Sequence, residues 1–171
     1  MIKLLIFAAA LAAAPEPPGA ARAGENIRQL LLGKAVVREA VRHIGQPYVW
    51  GGKDGAKDGG LDCSGFTATV YQTFGVTLPV SALDQYRGGI PIEKPALAPG
   101  DLVFFLTNGA TPMHVGIYAG EGKFIHAPGA GKTIGRESIS KGYFAVRYAG
   151  ARRYQPPQPS KRQPTTQEKQ P

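Results

Sequence analysis

The sequence predicts an α+β domain in which helices come first and an antiparallel sheet follows. Before Gly75 the apolar residues recur at helical spacing in two segments. After Pro99-Gly100 they fall into short runs separated by glycine-containing turns, the pattern of strands. The chain has 171 residues, of which 43% are hydrophobic, and no internal repeat, so a single self-sufficient core is expected.

The N-terminus reads as a secretory signal over residues 1–23. Lys3 supplies the positive start, Leu4 to Ala14 a short apolar run, and Ala21-Arg22-Ala23 a small-residue site for cleavage before Gly24. The run is too short to span a bilayer, and no other stretch is long and apolar enough. No cysteine stands near the cleavage site, so a lipid anchor is not expected. Residues 24–154 are the expected folded domain. From Gln155 to Pro171 the composition turns proline-rich and basic without apolar periodicity, which predicts a disordered tail. The net charge of +8 favours anionic partners. Export then points to an anionic envelope surface instead of nucleic acid.

Asn26 to Ile44 is expected to be the first helix, with Leu30, Leu31, Val37, Ala40, Val41 and Ile44 on one broad face and Gly45 and Pro47 ending it. Gly51 to Gly60 is a glycine-rich loop whose Gly and Lys spacing does not fit a phosphate-binding loop. A second helix is expected from Cys63 to just before Gly75, capped by Asp62, with Cys63, Phe66, Val70 and Phe74 on one face. Ser81 to Asp84 has the pattern of a short capped helix. Strands are expected at Leu102–Leu106, Met113–Tyr118, Lys123–Ala127, Tyr143–Tyr148 and Ala151–Tyr154.

Cys63 is the only cysteine, in a chain that reads as exported. Exported proteins use cysteines mostly in pairs, so an unpaired one at a helix start suits a nucleophile better than a staple. A three-residue loop Ala119–Glu121 would pair Tyr118 with Gly122 and set His114 directly opposite His126, about 4.5–5.5 Å apart at Cβ. A slip of one residue would put the two histidines on opposite faces. Val115, Ile117, Ile125 and Met113 would then form the core face. A thiol needs a base, and a histidine base needs a third group to fix its tautomer. Cys63 is therefore the candidate nucleophile, His114 the base and His126 the group that orients it. A Cys-His-His zinc site is the competing reading, but the spacing matches no familiar structural zinc pattern, and no metal or organic cofactor is expected. Trp50 reads as core packing, and Asp101 as a turn residue at the start of a strand.

Four ordered motifs carry a resemblance to the NlpC-type family of bacterial cell-wall cysteine peptidases. They are Pro47-Tyr48-Val49-Trp50-Gly51-Gly52, Asp62-Cys63-Ser64-Gly65-Phe66, Pro99-Gly100-Asp101-Leu102-Val103-Phe104-Phe105, and His114-Val115-Gly116-Ile117-Tyr118 with Phe124-Ile125-His126-Ala127. The resemblance spans roughly Val36 to Tyr148. It implies a papain-like fold with the nucleophile helix packed on the sheet, and a Cys63-His114-His126 triad. It also implies substrate-binding roles for Tyr48, Asp62 and Ser64. One departure stands out: relatives often carry Arg after Leu-Pro, where this chain has Leu78-Pro79-Val80.

The expected function is a monomeric, periplasmic or secreted endopeptidase acting on peptidoglycan stem peptides, at the bond between D-Glu and the diamino acid. Cleavage of the cross-link between the diamino acid and D-Ala is the alternative within that class, and an amidase or acyltransferase on the same fold is a further one. A non-catalytic wall-binding module is the alternative from another class.

Overall fold

The computed structural model describes residues 18–107 and 109–156. The apolar run Leu4–Ala14 and nearly all of the proline-rich tail lie outside the described residues. The described part opens with α1 (Pro18–Arg42), α2 (Cys63–Gln72) and α3 (Ala82–Arg87). The strands follow: β1 (Ile90–Ile92), β2 (Leu102–Phe105), β3 (His114–Gly120), β4 (Lys123–His126) and β5 (Gly135–Ser138). A single helical turn, α4 (Gly142–Ala145), leads into β6 (Tyr148–Arg153). The sheet is antiparallel throughout in the order β1-β6-β2-β3-β4-β5.

α1 begins earlier than expected and buries a different stripe. Leu30, Leu31, Val41 and Ile44 are exposed, whereas Val36 and Ala40 are in the core. The reason lies at Gly33, where a Cβ would collide with the Pro99 carbonyl. The helix touches the Pro99-Gly100 turn there, and that contact turns Val36 and Ala40, three and seven residues on, toward the core. Gly33 is thus a packing site within a continuous helix.

α2 follows its sequence pattern. Asp62 caps it, its carboxylate accepting from the Gly65 N–H at 2.6 Å. Phe66 and Val70 are fully buried against the sheet. Gly65 is required because a Cβ there would collide with the Gly52 carbonyl, so the glycine-rich loop lies directly on the first turn of α2. α3 begins with the expected cap, Ser81 Oγ accepting from the Asp84 N–H. It carries a polar residue that sequence pattern did not mark as buried. The Gln85 amide accepts from Thr67 Oγ1 and donates to the Ser64 and Pro79 carbonyls, which ties α3 to the start of α2.

Both faces of the sheet are covered. On one, Leu102, Phe104, Val115, Ile117 and Ile125 pack against α1 and α2. On the other, Val103, Phe105, Phe124 and Ala151 are buried beneath Phe144 of α4. Tyr143 to Val146, expected as strand, instead forms this helical turn and its cap, and only from Tyr148 does the chain pair with β2. β5 went unrecognised because Gly135-Arg136-Glu137-Ser138 has no apolar alternation, as suits an edge strand. Asp101 does more than turn the chain. It accepts from the Ala98 N–H and takes two hydrogen bonds from the Arg153 guanidinium, at 2.7 and 2.8 Å, which fastens β6 to the start of β2.

The β3–β4 hairpin differs from expectation by two residues. The pairs are Ile117↔Ile125, Tyr118↔Phe124 and Gly120↔Lys123, with a bulge at Ala119. The turn is the two residues Glu121-Gly122, both with positive φ (52° and 67°), as a tight hairpin turn with matching twist requires. A shift of two preserves the face of every side chain. His114 and His126 therefore stay on one face but are diagonal neighbours, and Gly116 stands opposite His126. A Cβ at Gly116 would come within 2.6 Å of the Phe124 ring and 3.0 Å of the His126 Cβ.

Candidate active site

Cys63 is the first residue of α2 and is half-buried. Its Sγ lies 4.0 Å from the Met113 carbonyl, just before β3. His114, the next residue, opens β3, and its ring stacks on Phe144 at 5.6 Å. His114 Nε2 lies 2.7 Å from His126 Nδ1, with the two rings nearly perpendicular. The start of α2, the start of β3 and the end of β4 thus bring the thiol and both imidazoles to one cleft of about 900 Å³.

The hydrogen bond between the histidines constrains which atom can act as a base. With His114 Nε2 engaged by His126, only Nδ1 remains to accept a proton. That lone pair is free only when His114 Nε2–H donates to His126 Nδ1. The pair also sits in apolar surroundings, 7% exposed at His114 and 1% at His126, among Phe105, Phe124 and Phe144. Burial lowers the His114 pKa to about 4. His126 falls to about 3, through burial first and then repulsion from His114 and Lys132. Burial also pushes the Cys63 thiol up to about 11, and the adjacent Asp62 carboxylate pushes the same way. The Val115 and Ser64 N–H groups and the Lys53 ammonium oppose that rise without cancelling it. The free site therefore rests as neutral thiol and neutral imidazole. The helix start alone does not produce a resting thiolate.

Tyr48 lines the same cleft, and its hydroxyl is held above its ordinary pKa by burial first and then by its neighbours Cys63 and Asp62. Asp62 and Ser64 are near the nucleophile but behind it, outside the cleft lining. Their polar atoms face one another, Ser64 Oγ lying 2.9 Å from Asp62 Oδ1 and 3.0 Å from the Val80 carbonyl. Lys53 completes this group, donating to Asp62 Oδ2 at 2.6 Å and to Ser64 Oγ at 2.9 Å. Lys53 went unmarked because nothing in a glycine-rich loop indicates where a lysine will reach. Trp50 corrects the expectation of core packing: it is 85% exposed and stands at the cleft rim. Two residues on, Gly52 lies too close to the Gly60 carbonyl to admit a Cβ, so the loop backbone is tightly packed there. Lys132, Arg136 and Glu137 add charged side chains to the cleft lining, again unmarked in the sequence. Among the described residues no three His, Cys, Asp or Glu side chains cluster as a metal site would require.

The family model described as the NlpC/P60 family matches residues 45–153. The chain is 39% identical over 115 residues to the gamma-D-glutamyl-L-lysine dipeptidyl-peptidase of Bacillus cereus, covering 66% of this chain and 34% of that protein. It is 41% identical over 128 residues to the murein DD-endopeptidase MepH of Escherichia coli, covering 72% and 46%. The chain thus spans less than half the length of these relatives. Among solved structures, an NlpC/P60 family protein from Bacillus cereus superposes with a TM-score of 0.67 at 36% identity, over 72% of this chain and 40% of that one. The NlpC/p60 domain of the peptidoglycan hydrolase SagA superposes with a TM-score of 0.60 at 38% identity, over 71% and 98%.

Proposed function

The chain belongs to the NlpC/P60 family and has its α+β, papain-like fold, and from that premise we propose that it is a cysteine endopeptidase hydrolysing amide bonds in the stem peptides of peptidoglycan. The observation that carries this reading is the cleft in which Cys63, at the start of a helix, shares a wall with the His114–His126 pair. Cys63 Sγ attacks the scissile carbonyl carbon while its proton passes to His114 Nδ1, since the resting thiol is neutral. His126 Nδ1 accepts from His114 Nε2–H, which holds His114 in the productive tautomer and stabilises the imidazolium that forms on His114. Backbone N–H groups at the start of α2, that of Cys63 included, face the developing oxyanion; donors of this kind contribute about 3 kcal/mol each to the transition state. His114 returns the proton to the leaving amine. Water, deprotonated by His114, then cleaves the thioester and restores the thiol.

The bond between D-Glu and the diamino acid is the favoured target, in keeping with the name of the Bacillus cereus relative. The cross-link is the second reading, supported by the similar identity to a murein DD-endopeptidase. Residues 24–154 serve as the catalytic domain, delivered outside the cytoplasm by the segment 1–23 and followed by a basic tail from Gln155.

Purified sacculi digested by the wild-type chain and by Cys63→Ala, with mass spectrometry of the fragments, test the assignment. Fragments released by the wild type alone establish a thiol-dependent peptidase and identify its bond. Binding to sacculi without release by either protein would leave a wall-binding module in its place.

A further inference from the structure

We infer that Lys53 is an electrostatic positioning residue for the Cys63 nucleophile: its ammonium pairs with the Asp62 carboxylate and offsets part of the negative charge that this helix cap presents to the sulfur. The inference rests on Cys63 being the reactive thiol, and it concerns a residue outside the proposed triad.

The conflict it resolves is built into the site. Asp62 is the helix cap, and its Oδ1 is committed to the Gly65 N–H and lies beside Ser64 Oγ. A carboxylate there stabilises the helix start, yet it is adjacent in sequence to the sulfur and opposes its ionisation. Lys53 meets the other oxygen, Oδ2, at 2.6 Å and also reaches Ser64 Oγ at 2.9 Å. A cation near a helix N-terminus is disfavoured by the helix dipole, so the carboxylate is what holds Lys53 there. The backbone is built to deliver it. The Lys53 N–H donates to Asp58 Oδ2 at 2.8 Å, the Lys53 carbonyl accepts from Thr69 Oγ1, and the Gly52 carbonyl accepts from the Asp62 N–H at 3.0 Å. Gly52 and Gly65 permit this loop-on-helix contact. The ionisable groups around the thiol are then Asp62 at the cap, Lys53 from the loop, Tyr48 from the segment before it and His114 from β3, with His126, Lys132, Arg136 and Glu137 further along the same cleft. Lys53 is the cation of that set that acts on the thiol, and its effect is opposite to that of Asp62.

The test is the rate of Cys63 alkylation by iodoacetamide at pH 8, which reads the thiol itself and does not depend on any wall substrate. Lys53→Met should slow alkylation about threefold or more, because a smaller thiolate fraction is only partly offset by its higher intrinsic nucleophilicity. Lys53→Gln, which can still donate a hydrogen bond to Asp62 but carries no charge, should slow it equally. Lys53→Arg should restore the wild-type rate, and Asp62→Asn combined with Lys53→Met should recover most of it. Alkylation at the wild-type rate in both the Met and Gln variants would overturn the inference. So would a slow double variant with wild-type thermal stability.

Discussion

His114 Nε2 and His126 Nδ1 are 2.7 Å apart although the two residues are not paired across the hairpin. The contact is diagonal, and it exists because Gly116 leaves the space beside His126 that a side chain would fill. The histidine pair therefore depends on a register, a glycine and an aromatic cover, and each can be changed separately.

Removing His126 should cost both stability and rate. His126→Ala leaves His114 Nε2 buried without a partner, which costs about 1–3 kcal/mol of stability. It also frees the tautomer, so kcat for fragment release should fall about 100-fold or more. His126→Gln, which can accept from Nε2–H, should retain more activity than the Ala variant. Equal activity in wild type and His126→Ala would remove His126 from the mechanism.

Gly116→Ala should destabilise the fold by about 1–3 kcal/mol, since the new methyl meets the Phe124 ring, the Ile125 carbonyl and the His126 Cβ within 3.0 Å. A lowered melting temperature accompanied by lost activity is the expected pair of results. An unchanged melt would mean that the hairpin accommodates the methyl.

The pH dependence follows from burial. His114 and His126 titrate near 4 and 3 in the folded chain against 6.5 when free. The unfolded state thus binds more protons in that interval, so stability is fully present above about pH 6.5 and is lost as pH falls through 4 toward 3. Between pH 6.5 and 5 most carboxylates are still ionised, so a decline there in denaturant melts reports the histidines. A flat profile over that interval would contradict their burial as neutral groups. At the other end, alkylation of Cys63 should be slow at neutral pH and keep rising toward about 11. A thiol fully reactive at pH 6 would show a resting ion pair instead.

Asp101→Asn should cost about 1–3 kcal/mol, because it removes the carboxylate of a buried Asp101 from a partly exposed Arg153 guanidinium. Thermal unfolding of the variant measures this directly, and a loss below 1 kcal/mol would reduce the pair to a surface contact.

Trp50→Ala should leave the melting temperature unchanged, given how little of the indole is buried. As a rim residue of the proposed cleft it should raise KM for wall fragments more than it lowers kcat. Loss of stability without a change in KM would return Trp50 to a structural role.

The precedence of α1, α2 and α3 over the sheet, the Asp62-capped start of α2 and the shared face of the two histidines were all determined by the sequence alone. Each depends on local chemistry or on a period of 3.6 or 2, which neighbouring residues carry among themselves. The parity of the hairpin survived a register error of two for the same reason. Tertiary structure decided the rest. Which stripe of α1 is buried depends on where Gly33 meets the Pro99 carbonyl, a contact between distant segments. Trp50 is exposed at the cleft rim, and Lys53 reaches Asp62 because the loop lies on α2. The protonation states at the cleft also belong to this level. A helix start by itself favours a thiolate, and a histidine by itself titrates near neutrality. Only the packing of Phe105, Phe124 and Phe144 around the histidines, and of the protein around the thiol, removes enough water to hold both neutral.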